Sequence, residues 1–170
     1  MKALDRCLAT LDCATEADLP ALAAIEAMSN SHPWQQSDFA AALRAGHLCL
    51  CARCDQGEPI GFAVGRLLVE DAELLLLAVR PDQRRRGIGR ALLRRLEERL
   101  AAQGARRMFL EVRRGNWPAQ RFYAALGYAP VGRRPRYYPS GASWHEREDA
   151  LIYSRALEPR DGSSAQRVGE

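Results

Sequence analysis

The stretch Leu77-Ala78-Val79-Arg80-Pro81-Asp82-Gln83-Arg84-Arg85-Arg86-Gly87-Ile88-Gly89-Arg90-Ala91-Leu92-Leu93 joins the end of an apolar run to a basic turn with two glycines and the start of an amphipathic segment. The run that ends at Val79 has the composition of a buried strand, and Pro81 stops it. Beyond the turn, apolar residues recur at helical spacing, at Ile88, Leu92, Leu96 and Leu100. The sequence therefore predicts a strand, a glycine turn and a helix that begins at the glycines.

The predicted turn has the properties of an anion-binding site. The first N–H groups of a helix have no partner within the helix, and the helix dipole favours negative charge there. Gly87 and Gly89 carry no side chain that would keep a ligand from the backbone, and the arginines at 84–86 add positive charge. A Rossmann fingerprint needs a glycine where Leu92 stands, and no Gly-Lys-Ser/Thr follows for a P-loop. The remaining interpretations are a diphosphate-binding turn and a helix that merely begins with glycines.

Composition predicts one globular domain. The chain has 170 residues, of which 47% are hydrophobic and 27% charged, enough for a single core. We expect this domain to span residues 1–158 and residues 159–170, which lack apolar periodicity, to form a disordered tail. No apolar run approaches the roughly 20 residues that cross a bilayer, and residues 1–10 contain no long apolar segment. We therefore expect a cytoplasmic protein with no membrane partner.

The formal charge of +4 comes mostly from arginine clusters at 84–86, 94–95, 113–114 and 133–136. Arginine binds phosphate through forked hydrogen bonds, so these clusters fit either a cofactor with several phosphates or an RNA surface. The densest cluster lies on the glycine turn, and no aromatic RNA-binding strand motif accompanies it. This favours the cofactor, and we expect no DNA partner.

The chain contains five cysteines and no export signal, which predicts free thiols. Cys49, Cys51 and Cys54 lie near His47 and could be read as a zinc site, but structural zinc normally takes two separated pairs of ligands. Cys49 and Cys51 instead share one face of a predicted strand, where free cysteine behaves as a small apolar residue. We therefore expect no metal.

The remaining patterns predict an α/β (α+β) domain with a mixed, mostly antiparallel sheet of about seven strands and helices on both faces. The strand before the glycine-turn helix and the strand after it should be parallel, because a helical crossover joins them. Thr15 is expected to cap a first helix that ends near Met28, and a short helix should run from Ser37 to Gly46. Strands are predicted over residues 6–11, 48–53, 60–69, 73–79, 107–112, 128–134 and 150–156, and a helix over 116–126, with a long polar connection before the last strand.

Several motifs, in this order, resemble those of a known family. The spacing Arg84-x-x-Gly87-x-Gly89 after a strand resembles the acetyl-coenzyme A (acetyl-CoA) signature of the GNAT N-acetyltransferases. The resemblance covers about residues 8–157. It extends to segments similar to the bacterial RimI-type ribosomal-protein alanine N-acetyltransferases: His32-Pro33-Trp34, Leu110-Glu111-Val112-Arg113-Arg114-Gly115-Asn116, Phe122-Tyr123-Ala124-Ala125-Leu126-Gly127-Tyr128, Arg136-Tyr137-Tyr138-Pro139 and Arg147-Glu148-Asp149-Ala150-Leu151.

This resemblance implies an enzyme that uses acetyl-CoA as cosubstrate and needs no metal. It implies that the N-terminal alanine amine of a small-subunit ribosomal protein attacks the thioester directly, and that the enzyme associates with the ribosome. The two parallel strands are expected to splay apart around the thioester, with a bulge and an oxyanion-binding N–H near Val79. The expected acetyl-CoA ligands are Leu77, Ala78, Val79, Arg84, Arg85, Arg86, Gly87, Ile88, Gly89, Arg90, Asn116 and Tyr123; for Asn116 a plain helix cap is the alternative.

Glu111 is the candidate general base. An α-amino group is mostly protonated at neutral pH, so a base must remove a proton before attack. Glu111 stands near the end of an otherwise apolar strand, where a carboxylate is costly without a partner or a task. The resemblance favours catalysis, and the alternative is an ion pair with a nearby arginine.

Tyr123 is the candidate acid, because a phenol holds its proton at neutral pH and can donate it to a thiolate. The alternative is an apolar helix face, but Phe122 and Leu126 account for that face and leave Tyr123 rotated by about 100°. Trp34, Tyr137 and Tyr138 are expected to flank the acceptor peptide, with an aromatic surface patch as the alternative for the two tyrosines. The connection at 138–149 is longer than in the RimI-type proteins, and its Trp144 could add a further wall.

The residues leave two other functions open. One keeps the fold and the cosubstrate but transfers the acetyl group to lysine side chains or to a small amine. The other is a non-catalytic basic module that binds ribosomal RNA.

Overall fold

The computed structural model describes residues 10–139 and 147–157. They form one seven-stranded sheet in the order β1-β2-β3-β4-β5-β7-β6, in which only β4 and β5 are parallel neighbours. This confirms the predicted fold class. None of the helices in these two ranges is long and apolar enough to cross a membrane. The elements are β1 (Thr10–Cys13), α1 (Leu19–Ala27), α2 (Gln36–Arg44), β2 (Leu48–Arg53), β3 (Pro59–Leu68), β4 (Asp71–Val79), α3 (Ile88–Ala102), β5 (Arg107–Arg113), α4 (Trp117–Ala125), β6 (Ala129–Pro139) and β7 (Arg147–Ala156).

Helices cover both faces of the sheet, as predicted. On one face α3 packs through the apolar stripe seen in the sequence, and Leu92, Leu96 and Leu100 are almost completely buried. On the other face α1 and α2 enclose a second apolar cluster around Phe39 and Phe62, whose rings meet edge to face. The sheet is therefore held between two apolar layers.

Cys49 and Cys51 belong to the second of these clusters, where both are buried. They lie two residues apart on β2, so their side chains share one face, as predicted. Burial raises the pKa of each thiol to about 11, which keeps both protonated at neutral pH. Their surroundings match the interpretation as small apolar residues.

The N-terminal part of the sheet differs from the prediction at its boundary. Positions 6–9 of the predicted first strand lie outside the described residues, and β1 continues beyond position 11 to Cys13. The extension follows from pairing with β2, which continues through Cys13 opposite Leu50. Thr15 forms a capping box with Asp18, whose Oδ2 accepts the Thr15 N–H at 2.8 Å, but the element that it caps is a short 3-10 turn at Glu16–Asp18 rather than α1 itself.

Strands β6 and β7 are longer than predicted and take up both ends of the predicted polar connection. β6 continues to Pro139, and β7 already begins at Arg147. Every residue of β6 except Tyr138 is exposed, and its pairing with β7 contains two register shifts. An exposed, irregular strand has no apolar alternation to mark it in the sequence. Trp144, the proposed additional wall, lies outside the described residues.

The parallel strands splay apart, as expected. β4 and β5 pair only from Asp71 opposite Arg107 to Leu74 opposite Leu110. Beyond that point β4 continues along β3 and β5 continues along β7, so a gap opens between them. The expectation of a bulge near Val79 was wrong. The register shift against β3 leaves Leu75 as the extra residue, at the point where the pairing with β5 ends.

Candidate active site

The gap between β4 and β5 opens into a cleft of about 980 Å³. Its walls come from β4, β5, the end of α1 and the loop after it, α4 and the turn before it, and the ends of β6 and β7. Of the site residues predicted from the sequence, the cleft brings together Trp34, Leu77, Glu111, Asn116, Tyr123, Tyr137 and Tyr138. The described residues that line the cleft do not include Ala78, Val79 or residues 84–90. These residues lie at and beyond the end of β4.

The edge of β4 that faces the gap presents backbone amides. Arg80 donates its N–H to Ile60 O at 2.9 Å, so these two residues form a hydrogen-bonded pair between β4 and β3. Such pairs alternate along an antiparallel ladder, and the N–H groups of Leu77 and Val79 therefore point away from β3. Since β5 has already separated at this level, both groups are directed into the gap. A ligand lying in the gap could pair with them as a strand would.

The turn before α3 has the conformation that its glycine permits. Gly87 has φ +81° and directly precedes the helix, and Arg85 also has a positive φ of +64°. No side chain within the described ranges caps this helix end, and the first helical bond runs from Ala91 N–H to Gly87 O. The preceding amides have no partner inside the helix. A Cβ at Gly89 would make only ordinary contacts, at 3.6 Å from Phe122 and Val79, so internal packing does not require glycine there.

The side chain of Arg84 is used within the protein. Its Nε donates to Val79 O at 3.0 Å, and its Nη2 donates to Ser29 Oγ at 3.0 Å. The guanidinium group thus ties the turn to the end of β4 and to the loop after α1. Arg85 and Arg86 are exposed and extend from the same turn. Only the backbone of Arg84, rather than its side chain, is placed to meet an anion at the helix start.

Glu111 faces the cleft from β5. Its neighbours Leu110 and Val112 are buried on the α3 side, so the alternation of a strand turns Glu111 to the opposite side. Arg134 Nε donates to Glu111 Oε1, which is the ion pair considered as the alternative role. The Arg134 side chain is 58% exposed, against 18% for Glu111, so the pair lies at the mouth of the cleft. An exposed partner of this kind leaves the carboxylate accessible, and the catalytic role stays a prediction.

Tyr123 lines the cleft from α4 and also packs against the apolar core, as Phe122 does, while Leu126 is buried within that core. Its ring meets those of Phe122 and Tyr128 edge to face, at centroid distances of 5.2 and 5.8 Å. Burial raises the pKa of Tyr123, so the phenol keeps its proton at neutral pH. The hydroxyl is therefore in the state that a proton donor requires.

Asn116 caps α4, as its alternative interpretation stated. Its Oδ1 accepts a hydrogen bond from Ala119 N–H at 3.2 Å. The side chain also lines the cleft, and the cap does not use its NH₂ group. Both roles are compatible in this geometry.

Aromatic side chains form part of the remaining wall. Trp34 packs edge to face on Phe39 at 5.5 Å, and Tyr137 does so on Tyr138 at 5.0 Å. Arg113 stacks over the Tyr138 ring at 4.4 Å, and burial raises the pKa of Tyr138 to about 12. The rings are thus held in place before any peptide arrives.

Sequence reasoning missed three carboxylates that line the cleft: Glu26, Glu73 and Glu148. Nothing in the sequence marks Glu73 or Glu148 as site residues, because both lie on strands that are partly exposed. Glu26 did have a signal. It follows Ile25 in an almost wholly apolar helix, where a carboxylate is out of place.

Comparison with known proteins supports an enzymatic cleft. The chain matches the Acetyltransferase (GNAT) family over residues 19–128. It is 37% identical over 136 residues to the [ribosomal protein bS18]-alanine N-acetyltransferase of Escherichia coli (strain K12), covering 79% of this chain and 88% of the relative. The protein of the same name from Salmonella typhimurium is 35% identical over 143 residues, covering 84% and 94%. The crystal structure of the ribosomal-protein-S18-alanine N-acetyltransferase from Escherichia coli superposes with a TM-score of 0.79 and 32% identity, covering 93% of this chain and 99% of that one.

Proposed function

The chain belongs to the acetyltransferase (GNAT) family, and from this premise we propose that it transfers the acetyl group of acetyl-CoA to the N-terminal alanine of a small-subunit ribosomal protein. The acceptor is taken from the names of its relatives, which act on ribosomal protein bS18. The observation that carries the proposal is the splayed strand pair. Leu77 of β4, Glu111 and Tyr123 all line the cleft that opens at this gap.

The proposed acetyl-CoA site runs from the turn at 84–90 into the gap. The free amides at the start of α3 hold the pyrophosphate, with Arg85 and Arg86 close enough to add charge. The amides that Leu77 and Val79 direct into the gap would hold the pantetheine arm of acetyl-CoA. The NH₂ group of Asn116 would donate to the arm as well. Bound in this way, acetyl-CoA supplies the activated acetyl group.

The residues of the cleft account for each proton and charge in the transfer. Glu111 accepts a proton from the acceptor's ammonium group, which leaves an amine that can attack the acetyl carbon. A backbone N–H of Leu77 or Val79 donates to the acetyl oxygen as negative charge develops there, an interaction typically worth about 10²- to 10³-fold in rate. When the carbon–sulfur bond breaks, Tyr123 donates its proton to the departing sulfur. The nitrogen gives up its second proton as the amide forms, which restores the phenol of Tyr123, and Glu111 releases the first proton to solvent.

Trp34, Tyr137 and Tyr138 form the proposed acceptor side. Aromatic rings provide contact area at little cost in conformational entropy, which suits a flexible peptide end. Ribosomal proteins are made in the cytoplasm, so we place the reaction there and propose contact with the ribosome or with newly made ribosomal protein.

The acceptor can be tested with two sets of peptides. One set begins with a free alanine and contains no lysine, and the other is blocked at its N-terminus and contains lysine. Intact-mass analysis after incubation with acetyl-CoA is expected to show one added acetyl group on the first set only. Acetylation confined to the blocked set would reject the N-terminal acceptor. The absence of thiol release with any amine, together with RNA affinity that falls steeply with salt, would support the RNA module instead.

The role of Glu111 predicts a loss of turnover in the Glu111→Gln variant. The amide cannot accept the proton, so kcat/KM for an alanine peptide should fall by about 10²- to 10⁴-fold. The dissociation constant of acetyl-CoA should remain within about twofold, since binding relies on the backbone. Steady-state kinetics and calorimetry measure the two quantities.

Glu73→Gln is the matched control for this variant. Glu73 also lines the cleft, and Arg66 pairs with it at 2.6 Å, as Arg134 pairs with Glu111. Its kcat/KM should stay within about threefold of the original enzyme, because an ion pair at the surface contributes little by itself. Equal losses in both variants would mean that the charge of the cleft, rather than a base at position 111, supports the reaction.

A further inference from the structure

The cleft contains one buried carboxylate that the reaction described above does not use. Glu26 lies in the last turn of α1, is 2% exposed and lines the same cleft as Trp34. Asn30 Nδ2 donates to its Oε1 at 3.1 Å, and the backbone N–H of Trp34 also bonds to the carboxylate. Glu26 is therefore held at the acceptor side of the cleft by the loop that carries Trp34.

Glu26 differs from the other three carboxylates of the cleft in its partners. Glu73 pairs with Arg66 at 2.6 Å, Glu148 has Arg113 at 3.7 Å, and Glu111 pairs with Arg134. Within residues 10–139 and 147–157, the hydrogen-bond donors of Glu26 are amides and none of its partners is a cation. Glu26 is thus the most buried carboxylate of the cleft, and it is the one that has no cationic partner among the described residues.

Such a carboxylate is expensive for the fold. A buried charge without a counter-charge costs several kcal/mol, and two neutral hydrogen bonds recover only part of this. Burial correspondingly raises the pKa of Glu26. A carboxylate offers about four lone-pair positions, so the two amide donors leave room for another partner. A cation that arrives with a ligand would supply what the protein itself does not.

Every acceptor peptide with a free N-terminus carries one such cation, its α-ammonium group. An α-amino group has a pKa near 8 and enters the cleft mainly as the ammonium form. We propose that Glu26 binds the α-ammonium group of the acceptor peptide and positions it for deprotonation by Glu111. This inference rests on the proposed function, and it makes Glu26 a residue that selects a free amine. The hydrogen bonds from Asn30 and Trp34 link this selection to the aromatic wall.

A thermodynamic cycle tests the inference against a purely structural role. The enzyme is used unchanged and as Glu26→Gln, whose amide oxygen can still accept the hydrogen bonds from Asn30 and Trp34. The ligands are a peptide that begins with alanine and the same peptide with a propionyl group in place of alanine, which lacks only the amine. Calorimetry in the presence of coenzyme A, without an acetyl group, gives four dissociation constants and allows no turnover.

The unchanged enzyme should bind the alanine peptide at least about tenfold more tightly than the propionyl peptide, because a hydrogen bond to a charged group contributes about 1.5–3 kcal/mol. In Glu26→Gln this preference should fall to within about twofold. Asn30→Ala, which disturbs the loop and keeps the charge, should weaken both peptides alike and preserve the preference.

Two results would overturn the inference. One is equal binding of the two peptides by the unchanged enzyme, a measurement that needs no variant to fold. The other is a preference for the alanine peptide that survives in Glu26→Gln. This includes the case in which the variant binds both peptides more weakly by the same factor, and it would mean that Glu26 only holds the loop. The proposed function is judged separately, by whether the unchanged enzyme acetylates the alanine peptide.

Discussion

At the scale of single residues, Tyr123 and Tyr128 show how surroundings assign different roles to the same side chain. Their rings are in contact, and burial raises the pKa of both. Tyr123 lines the cleft, whereas the Tyr128 hydroxyl donates to Glu97 Oε1 at 2.7 Å inside the core. The first hydroxyl can reach a ligand and the second is already used.

Tyr123→Phe is expected to lower kcat by about 10²-fold or more, the usual contribution of a general acid. Phenylalanine preserves the ring contacts, so the free energy of unfolding should change by less than about 1 kcal/mol. Steady-state kinetics and urea unfolding measure the two effects.

Tyr128→Phe is the control, for which we expect a loss of stability without a loss of turnover. Removal of its hydroxyl leaves the buried Glu97 with one donor fewer, which should lower the free energy of unfolding by about 1–3 kcal/mol. Its kcat should stay within about threefold, since Tyr128 does not touch the ligand. If Tyr128→Phe lost turnover and Tyr123→Phe did not, the assignment of the acid would be wrong.

At the scale of elements, the start of α3 depends on one backbone conformation. Gly87 has φ +81°, and a Cβ there would meet nothing within 4 Å. An alanine at this position would therefore have room but would be strained in a left-handed conformation. Any relaxation moves the amides that are proposed to hold the pyrophosphate.

Gly87→Ala should lower the free energy of unfolding by about 1 kcal/mol and raise the dissociation constant of acetyl-CoA by about tenfold or more. Gly57→Ala is the matched control, because Gly57 has φ +82° and an equally open surrounding in the turn between β2 and β3. It should lose similar stability with unchanged affinity. Calorimetric titration with acetyl-CoA separates the two variants, and equal affinities would argue against a pyrophosphate site at Gly87.

At the scale of the whole molecule, an ion pair joins the segment before α1 to the sheet. Arg53 donates from Nη1 and Nη2 to the two carboxylate oxygens of Asp18, each at 2.8 Å. Asp18 is only 6% exposed. These hydrogen bonds lower the pKa of Asp18 from 3.8 to about 2.

A lowered carboxylate pKa stabilises the fold above the unfolded value of about 3.8, and this stabilisation is lost as the pH falls towards 2. Asp18→Asn should therefore lower the free energy of unfolding at pH 7 by about 2 kcal/mol. The difference from the unchanged protein should shrink below about pH 4, because protonation then removes the same charge. Urea unfolding at pH 7, 4 and 3 measures it, and a difference independent of pH would show that the ion pair is not its source.

Much of the architecture follows from short-range pattern. The stripe Ile88, Leu92, Leu96 and Leu100 and the glycines before it predict α3, because a helix and its first turn depend on residues within a few positions of one another. The same holds for the cap of α4 at Asn116 and for the hairpin of β2 and β3. The parallel pair followed from the crossover rule. The gap between β4 and β5 was expected only from the resemblance to the GNAT family.

Only the tertiary structure decided the features that depend on which segments of the chain lie opposite each other. The bulge at Leu75, the full length of β6 and the pairing of Glu111 with Arg134 require partners far away in the chain. Glu26 was visible in the sequence only as a polar residue in an apolar helix, and folding placed it in the cleft. Local propensity depends on residues that are close in sequence. Strand register and the pairing of charges depend on residues that are distant in sequence and meet only in the fold. The sequence alone therefore determined most of the elements and the glycine turn before α3, and the fold determined which charges meet in the site.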